Sequence, residues 1–176
     1  MNLYMTSGTI NYFLKTKEEN NNFFLSGNGN RGLAYYEADE SQGLFNSGEH
    51  YEILESQGEL SEDSTMLVVH LNVSGQKSSM ARTTIMDLID GIENMKGITA
   101  YRTAKKRDYY SYVILIQFAD SEAYKAFEAS EVNEKTLSRD AMKKLRDEES
   151  AFSNANSKMY YVPIKDLDDD DLEDSF

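Results

Sequence analysis

The chain has 176 residues, 40% of them hydrophobic, which is enough for one sizeable core or two joined halves. It has no cysteine, so disulfides, thiolate metal sites and cysteine nucleophiles are excluded. Its net charge of −13 repels phosphate backbones and no basic face interrupts it, which excludes nucleic acid as a partner.

No run reaches the length of a transmembrane segment. The start, MNLYMTSGTINYFL, lacks the basic and apolar regions of a secretory signal. A cytoplasmic location follows, with peripheral membrane contact as the alternative. Seven of the acidic residues sit in DLDDDDLEDSF, residues 166–176, which holds no base. Such a run is expected to be a solvated, disordered tail.

In chain order, Leu3 to Thr6 is expected as a strand. Ile10, Phe13 and Leu14 form one face of a short helix. Asn22 to Leu25 and Leu33 to Ala38 form a hairpin around Gly27-Asn28-Gly29-Asn30. Tyr51 to Gln57 is expected as a second helix closed by Gly58. Gly58 to Ser64 is the seam between the halves.

Thr65 to Val73, TMLVVHLNV, reads as an apolar strand. Ser78 and Ser79 can cap the next helix. Its Ala81, Ile85, Leu88, Ile89, Ile92 and Met95 recur at helical spacing, and Gly97 is placed to stop it. Thr99 to Ala104 is a strand, Lys105 to Asp108 a polar turn, and Tyr110 to Phe118 the next strand. Asp120 or Ser121 caps a helix that turns Tyr124 and Phe127 inward. A less regular helix runs from Leu137 to about Arg146, then a polar loop from Ser150 to Ser157. Lys158 to Ile164 is a last strand, carrying the only proline.

From Thr65 onward this order is β-α-β-β-α-β, the ferredoxin-like pattern. The first half repeats it in shortened form. The expected class is therefore α+β, with a shortened ferredoxin-like half over 1–60, a full unit over 61–165 and the tail over 166–176. A four-stranded sheet with helices on one face leaves its other face to be covered. The second sheet does that in cis, so a monomeric internal pseudo-dimer is expected, with a true dimer as the alternative.

The stretch FADSEAYKAFEAS, residues 118–130, resembles the strand-to-helix junction of the antibiotic-biosynthesis-monooxygenase (ABM) family. LYMTSGTINYFLK at 3–15, HYEILESQGELSE at 50–62, LSRDA at 137–141 and YVPIK at 161–165 follow in the same order. Together they resemble a two-part ABM subgroup that includes HmoB-type haem-degrading monooxygenases and the staphylococcal signalling protein TRAP. The resemblance implies a dimeric-α/β-barrel-like fold completed in cis. It also implies haem, or another small aromatic molecule, as ligand.

Haem-degrading members carry an Asn on the strand matching Thr65 to Val73, and a Trp and an iron-ligating His on the helix matching Ser121 to Leu137. By that match Phe127 stands at the Trp position. Leu137, or Thr136 with a one-residue slip, stands at the His position. The Asn position falls near His70, with Val69 or Leu71 as the slipped alternatives. None of the three helix residues is a ligand for haem iron. The resemblance therefore supports two functions. One is a haem-binding or haem-degrading monooxygenase. The other is a non-catalytic TRAP-like signalling or stress protein that kept the fold and lost the haem site. A cofactor-free ABM oxygenase acting on an aromatic substrate is a third alternative, with no residue that picks it out.

His70 is the one imidazole placed mid-strand. It can ligate iron or move a proton, or serve as a structural, hydrogen-bonded side chain. Its strand turns Leu67, Val69, Leu71 and Val73 to one face, leaving His70 on the less apolar face or inside a barrel. His50, in NSGEH, is expected at the surface. No His, Asp or Glu grouping has metal-ligand spacing, so no metal is expected. The glycines from Gly27 to Gly32 lack the Lys and following helix of a phosphate loop, and a hairpin explains them. The 12 tyrosines read either as strand and core residues or as the lining of a pocket for a flat aromatic ligand.

Overall fold

A computed structural model describes residues 1–73, 75–106, 110–145 and 156–168. Arg107, Asp108 and Tyr109, the helix end at Arg146, the loop over 150–155 and the tail beyond Asp168 lie outside the described residues.

The first half contributes β1 (Asn2–Thr9), α1 (Ile10–Glu19), β2 (Phe24–Asn28), β3 (Arg31–Ala38) and β4 (Glu49–Gln57). The second contributes β5 (Thr65–Asn72), α2 (Ser78–Ile92), β6 (Ile98–Lys105) and β7 (Ser111–Phe118). It continues with α3 (Ser121–Glu128), α4 (Glu131–Thr136), α5 (Arg139–Leu145) and β8 (Ser157–Pro163). The eight strands close into one barrel in the order β1-β3-β2-β8-β5-β7-β6-β4. Each half has the same internal order, β4-β1-β3-β2 and β8-β5-β7-β6. The halves join by antiparallel pairing of β2 with β8 and of β4 with β6.

One expected element changes type. Tyr51 to Gln57, expected as a helix, is strand. Tyr51 and Leu54 share a helical spacing, but Leu54 is 51% exposed while Tyr51 is buried. Period-two alternation and the unpaired edges of β1 and β6 decide the conformation, because β4 satisfies both edges at once. Gly58 then ends a strand rather than a helix, in the left-handed region at φ +72°. In the second half the strands follow expectation, but α2 is not capped by Ser78 or Ser79. Lys77 holds the cap position without a side-chain bond, and the helix ends at Ile92, before Met95 and Gly97. Asp120 is the cap of α3, accepting from the Ala123 amide at 2.8 Å.

The strands alternate between two cores. Leu67, Val69, Leu71 and Val73 face α2 and the α3–α5 segment. Met66 and Val68 face the barrel interior with Leu3, Met5, Tyr35, Tyr51 and Leu115. A third, smaller core lies under α1, around Phe13, Phe23, Leu25 and Tyr36. A barrel buries both faces of its strands, which is why β5 and β7 read as nearly continuous apolar runs.

Candidate functional site

Phe127, Thr136 and Leu137 come together between the second-half helices and the outer face of the sheet. Phe127 and Leu137 are 0% exposed and Thr136 is 2% exposed. The capped α3 sets the angle of Phe127, whose ring lies 5.6 Å from that of Phe118 on β7. Full burial of a phenylalanine there contributes about 1.5–3 kcal/mol. The Ser130 hydroxyl accepts from the Asn133 amide at 3.2 Å and starts α4. The Thr136 hydroxyl donates back to the Val132 carbonyl at 2.6 Å, so it is turned into its own helix.

The same helices close on α2. A Cβ at Gly91 would stand 2.4 Å from a Val132 methyl, so only glycine permits this approach of α2 and α4. Phe127, Leu137, Met142 and Leu145 fill the space between these helices and the sheet, and a groove lined by Asp87, Asp90, Glu131, Val132, Lys135 and Thr136 remains between α2 and α4.

His70 is not part of that cluster. It points from the opposite face of β5 into one mouth of the barrel, half-buried, with its ring centre 6.5 Å from that of Tyr51. Burial holds its pKa below the ordinary 6.5. Glu49 opposes that shift and Lys106 adds to it. The imidazole is therefore neutral at pH 7. Burial, reinforced by Glu49, pushes the Tyr51 hydroxyl up to about 12. Lys106 pairs with Glu49 across the mouth and stands 5.7 Å over the Tyr51 ring. His50 is exposed on the outer surface and stacks on Tyr4 at 4.9 Å.

The other mouth is plugged by groups that sequence patterns did not single out. Arg102 on β6, 6% exposed, forms a two-pronged ion pair with Glu37 on β3. Its remaining N–H groups donate to the carbonyls of Gln57, Gly58 and Tyr101 at 2.8–2.9 Å. The Gln117 amide nitrogen donates to the Tyr35 hydroxyl and the Ser61 carbonyl, each at 3.0 Å. Its carbonyl accepts from the Ser61 amide at 2.9 Å. The available signal was polarity at positions alternating with buried ones: Arg102 between Ala100 and Ala104, Gln117 two residues after Leu115. Among the described residues no three His, Asp or Glu converge as a metal cluster.

No family model matches the chain. The signal transduction protein TRAP of Staphylococcus epidermidis is 24% identical over 168 residues, spanning 94% of this chain and 99% of the relative. A solved structure of a major regulator of staphylococcal pathogenesis superposes with a TM-score of 0.79 at 22% identity, covering 93% and 99% of the two chains. An uncharacterised ferredoxin-fold protein from Listeria monocytogenes, related to antibiotic biosynthesis monooxygenases, gives 0.71 at 14% identity, covering 92% and 94%. The chain has the ABM fold. A heme-degrading enzyme from Listeria monocytogenes gives 0.69 at 13% identity, covering 92% of this chain and 99% of that one. Within this ABM fold both expectations for architecture hold: an α+β class, and a barrel completed by the chain's own first half.

Proposed function

We infer that this chain is a non-catalytic, regulatory ABM-fold protein of the cytoplasm, which keeps the barrel and has lost the haem-degrading site. The observation that carries it is the filled helix–sheet cleft, with Phe127 and Leu137 wholly buried and α2 held against α4 at Gly91 and Val132. The donor set points the same way. A haem iron needs an axial His, Cys, Met or Tyr, and Phe127, Thr136 and Leu137 offer none. The chain has two histidines. One lies across the sheet and the other stacks on Tyr4 on the surface. Phe127, Thr136 and Leu137 therefore do not fit a haem, and the Tyr101, Tyr112 and Met142 side chains of the same core are already packed into it. The signal transduction protein to which the chain is similar along 94% of its length supports a regulatory role.

Haemin titration tests this. The expected outcome at micromolar haemin is a broad, non-stoichiometric absorbance. A sharp Soret band saturating at one equivalent, bleached by ascorbate and oxygen, overturns the inference.

The fold shared with a heme-degrading enzyme favours haem binding as the second reading. On that reading His70 is the imidazole available to the iron, and His70→Ala abolishes the Soret band. An unchanged band in that variant assigns the iron to a tyrosine.

A further inference from the structure

The two halves share one strand order but differ over the outer face of the sheet. In the second half, α3, α4 and α5 cover the sheet beside α2, and the groove left between α2 and α4 is lined by the charged Asp87, Asp90, Glu131 and Lys135. In the first half the corresponding connection, residues 39–48, contains no helix or strand. A groove of about 330 Å³ stays open between α1, β1 and residues 44–47. That volume lies at the lower end of small-molecule sites.

The groove is built rather than accidental. Its walls are Tyr12, Phe13 and Phe45. The Tyr12 and Phe13 rings meet edge-on at 5.3 Å. Phe23 braces the floor from below, 6.5 Å from Phe13 and 5.6 Å from Phe45. Asn46 donates to the Tyr12 hydroxyl at 3.3 Å, which ties the loop to the helix across the opening. Thr9 and Ser47 add hydroxyls to the lining, while the Thr16 hydroxyl donates back to the Tyr12 carbonyl at 3.0 Å. The Thr9 side chain makes no capping bond to α1.

The lining also selects by charge. None of the eleven residues that line the groove is charged, in a chain of net charge −13. An anion finds no cation here and a repulsive surrounding field. A cation finds no carboxylate to replace its hydration. What fits is an uncharged molecule with a flat apolar body, stacked on or edge-packed against the aromatic walls, and one or two polar groups at the hydroxyl rim.

We propose that the groove between α1 and residues 44–47 is a binding site for a small, neutral, planar aromatic ligand. It is separate from the second-half cleft and from His70, so it stands or falls independently of haem binding.

N-phenyl-1-naphthylamine, an uncharged fluorophore with a flat naphthyl ring system, is the probe, added to the full-length chain. Saturable one-to-one binding with a blue-shifted emission is expected. Thr16→Phe from the helix and Ser47→Tyr from the loop each fill the groove, and each is expected to weaken binding about tenfold or more. His70→Ala is expected to leave it unchanged. Methyl NMR of the unsubstituted protein reads the site without any variant, through shifts of the Thr6, Thr9, Thr16 and Leu44 methyls. Absence of saturable binding overturns the proposal. So does unchanged affinity in both folded filling variants, loss of binding in His70→Ala, or probe-induced methyl shifts confined to the second half.

Discussion

His70 shows how one side chain's surroundings set both its charge and its effect on stability. Its folded pKa is depressed by burial, while the unfolded chain titrates near 6.5. In the window below 6.5 the unfolded state binds the proton first. Its contribution to stability is therefore complete above that value and is lost as pH falls. Glu49 and Lys106, which also face the imidazole, modulate the window without reversing it. His70→Gln has no such proton to bind. Urea midpoints at about pH 7.5 and about pH 5.5 should fall further in the natural protein than in the variant. Equal falls would show that His70 does not carry this dependence.

Arg102 is a sharper case. Its guanidinium is buried and all its hydrogen-bonding directions are used, on Glu37 and on three backbone carbonyls. Arg102→Ala leaves a carboxylate without its partner and those carbonyls without donors. The expected loss is about 3–5 kcal/mol, read as a lower urea midpoint. Adding Glu37→Gln to Arg102→Ala should recover part of it, because the stranded charge is removed. A loss within the scatter typical of surface changes, about 0.5 kcal/mol, would mean that water solvates this mouth of the barrel.

Among the elements, legibility followed length and redundancy of signal. The α2 stripe of Ala81, Ile85, Leu88, Ile89 and Ile92 spans about three turns and is buried throughout. A cap at Asp120 or Ser121 and the inward Phe127 were also legible, because capping and helical spacing are local, and the structure chooses Asp120. The separate short helix α4 was not, since six residues are too few to show a period. Tyr51 to Gln57 failed for a related reason. Seven residues fit both a helix and a strand, and the decision came from the open edges of β1 and β6, which lie far away in sequence.

For the molecule as a whole, closure of the sheet is the controlling feature. Each half leaves two strand edges and one sheet face unsatisfied, and the other half covers all of them. A chain that does this in cis has no remaining need for a second copy. Sedimentation equilibrium should give a single species near the chain mass of 20.1 kDa. A stable species of twice that mass would mean that a further surface drives association. Arg102 and Glu37 belong to different halves, so loss of their ion pair is expected to destabilise both halves together.

The amino-acid sequence alone carried what short-range patterns can encode. These were the strand and helix periods of the second half, and a cap for α3 at Asp120 or Ser121. The ABM fold itself was within reach through motifs in a shared order. The alternation of β5 already put His70 opposite Leu67, Val69 and Leu71; only the tertiary structure decided that its face lines the barrel, across the sheet from Phe127, Thr136 and Leu137. Only it showed that side chains of α3–α5 fill one helix–sheet cleft while the missing helix over 39–48 leaves the other open. The physical reason is that a cleft is defined by what fills it. That is settled by contacts between segments tens of residues apart, which no local period records.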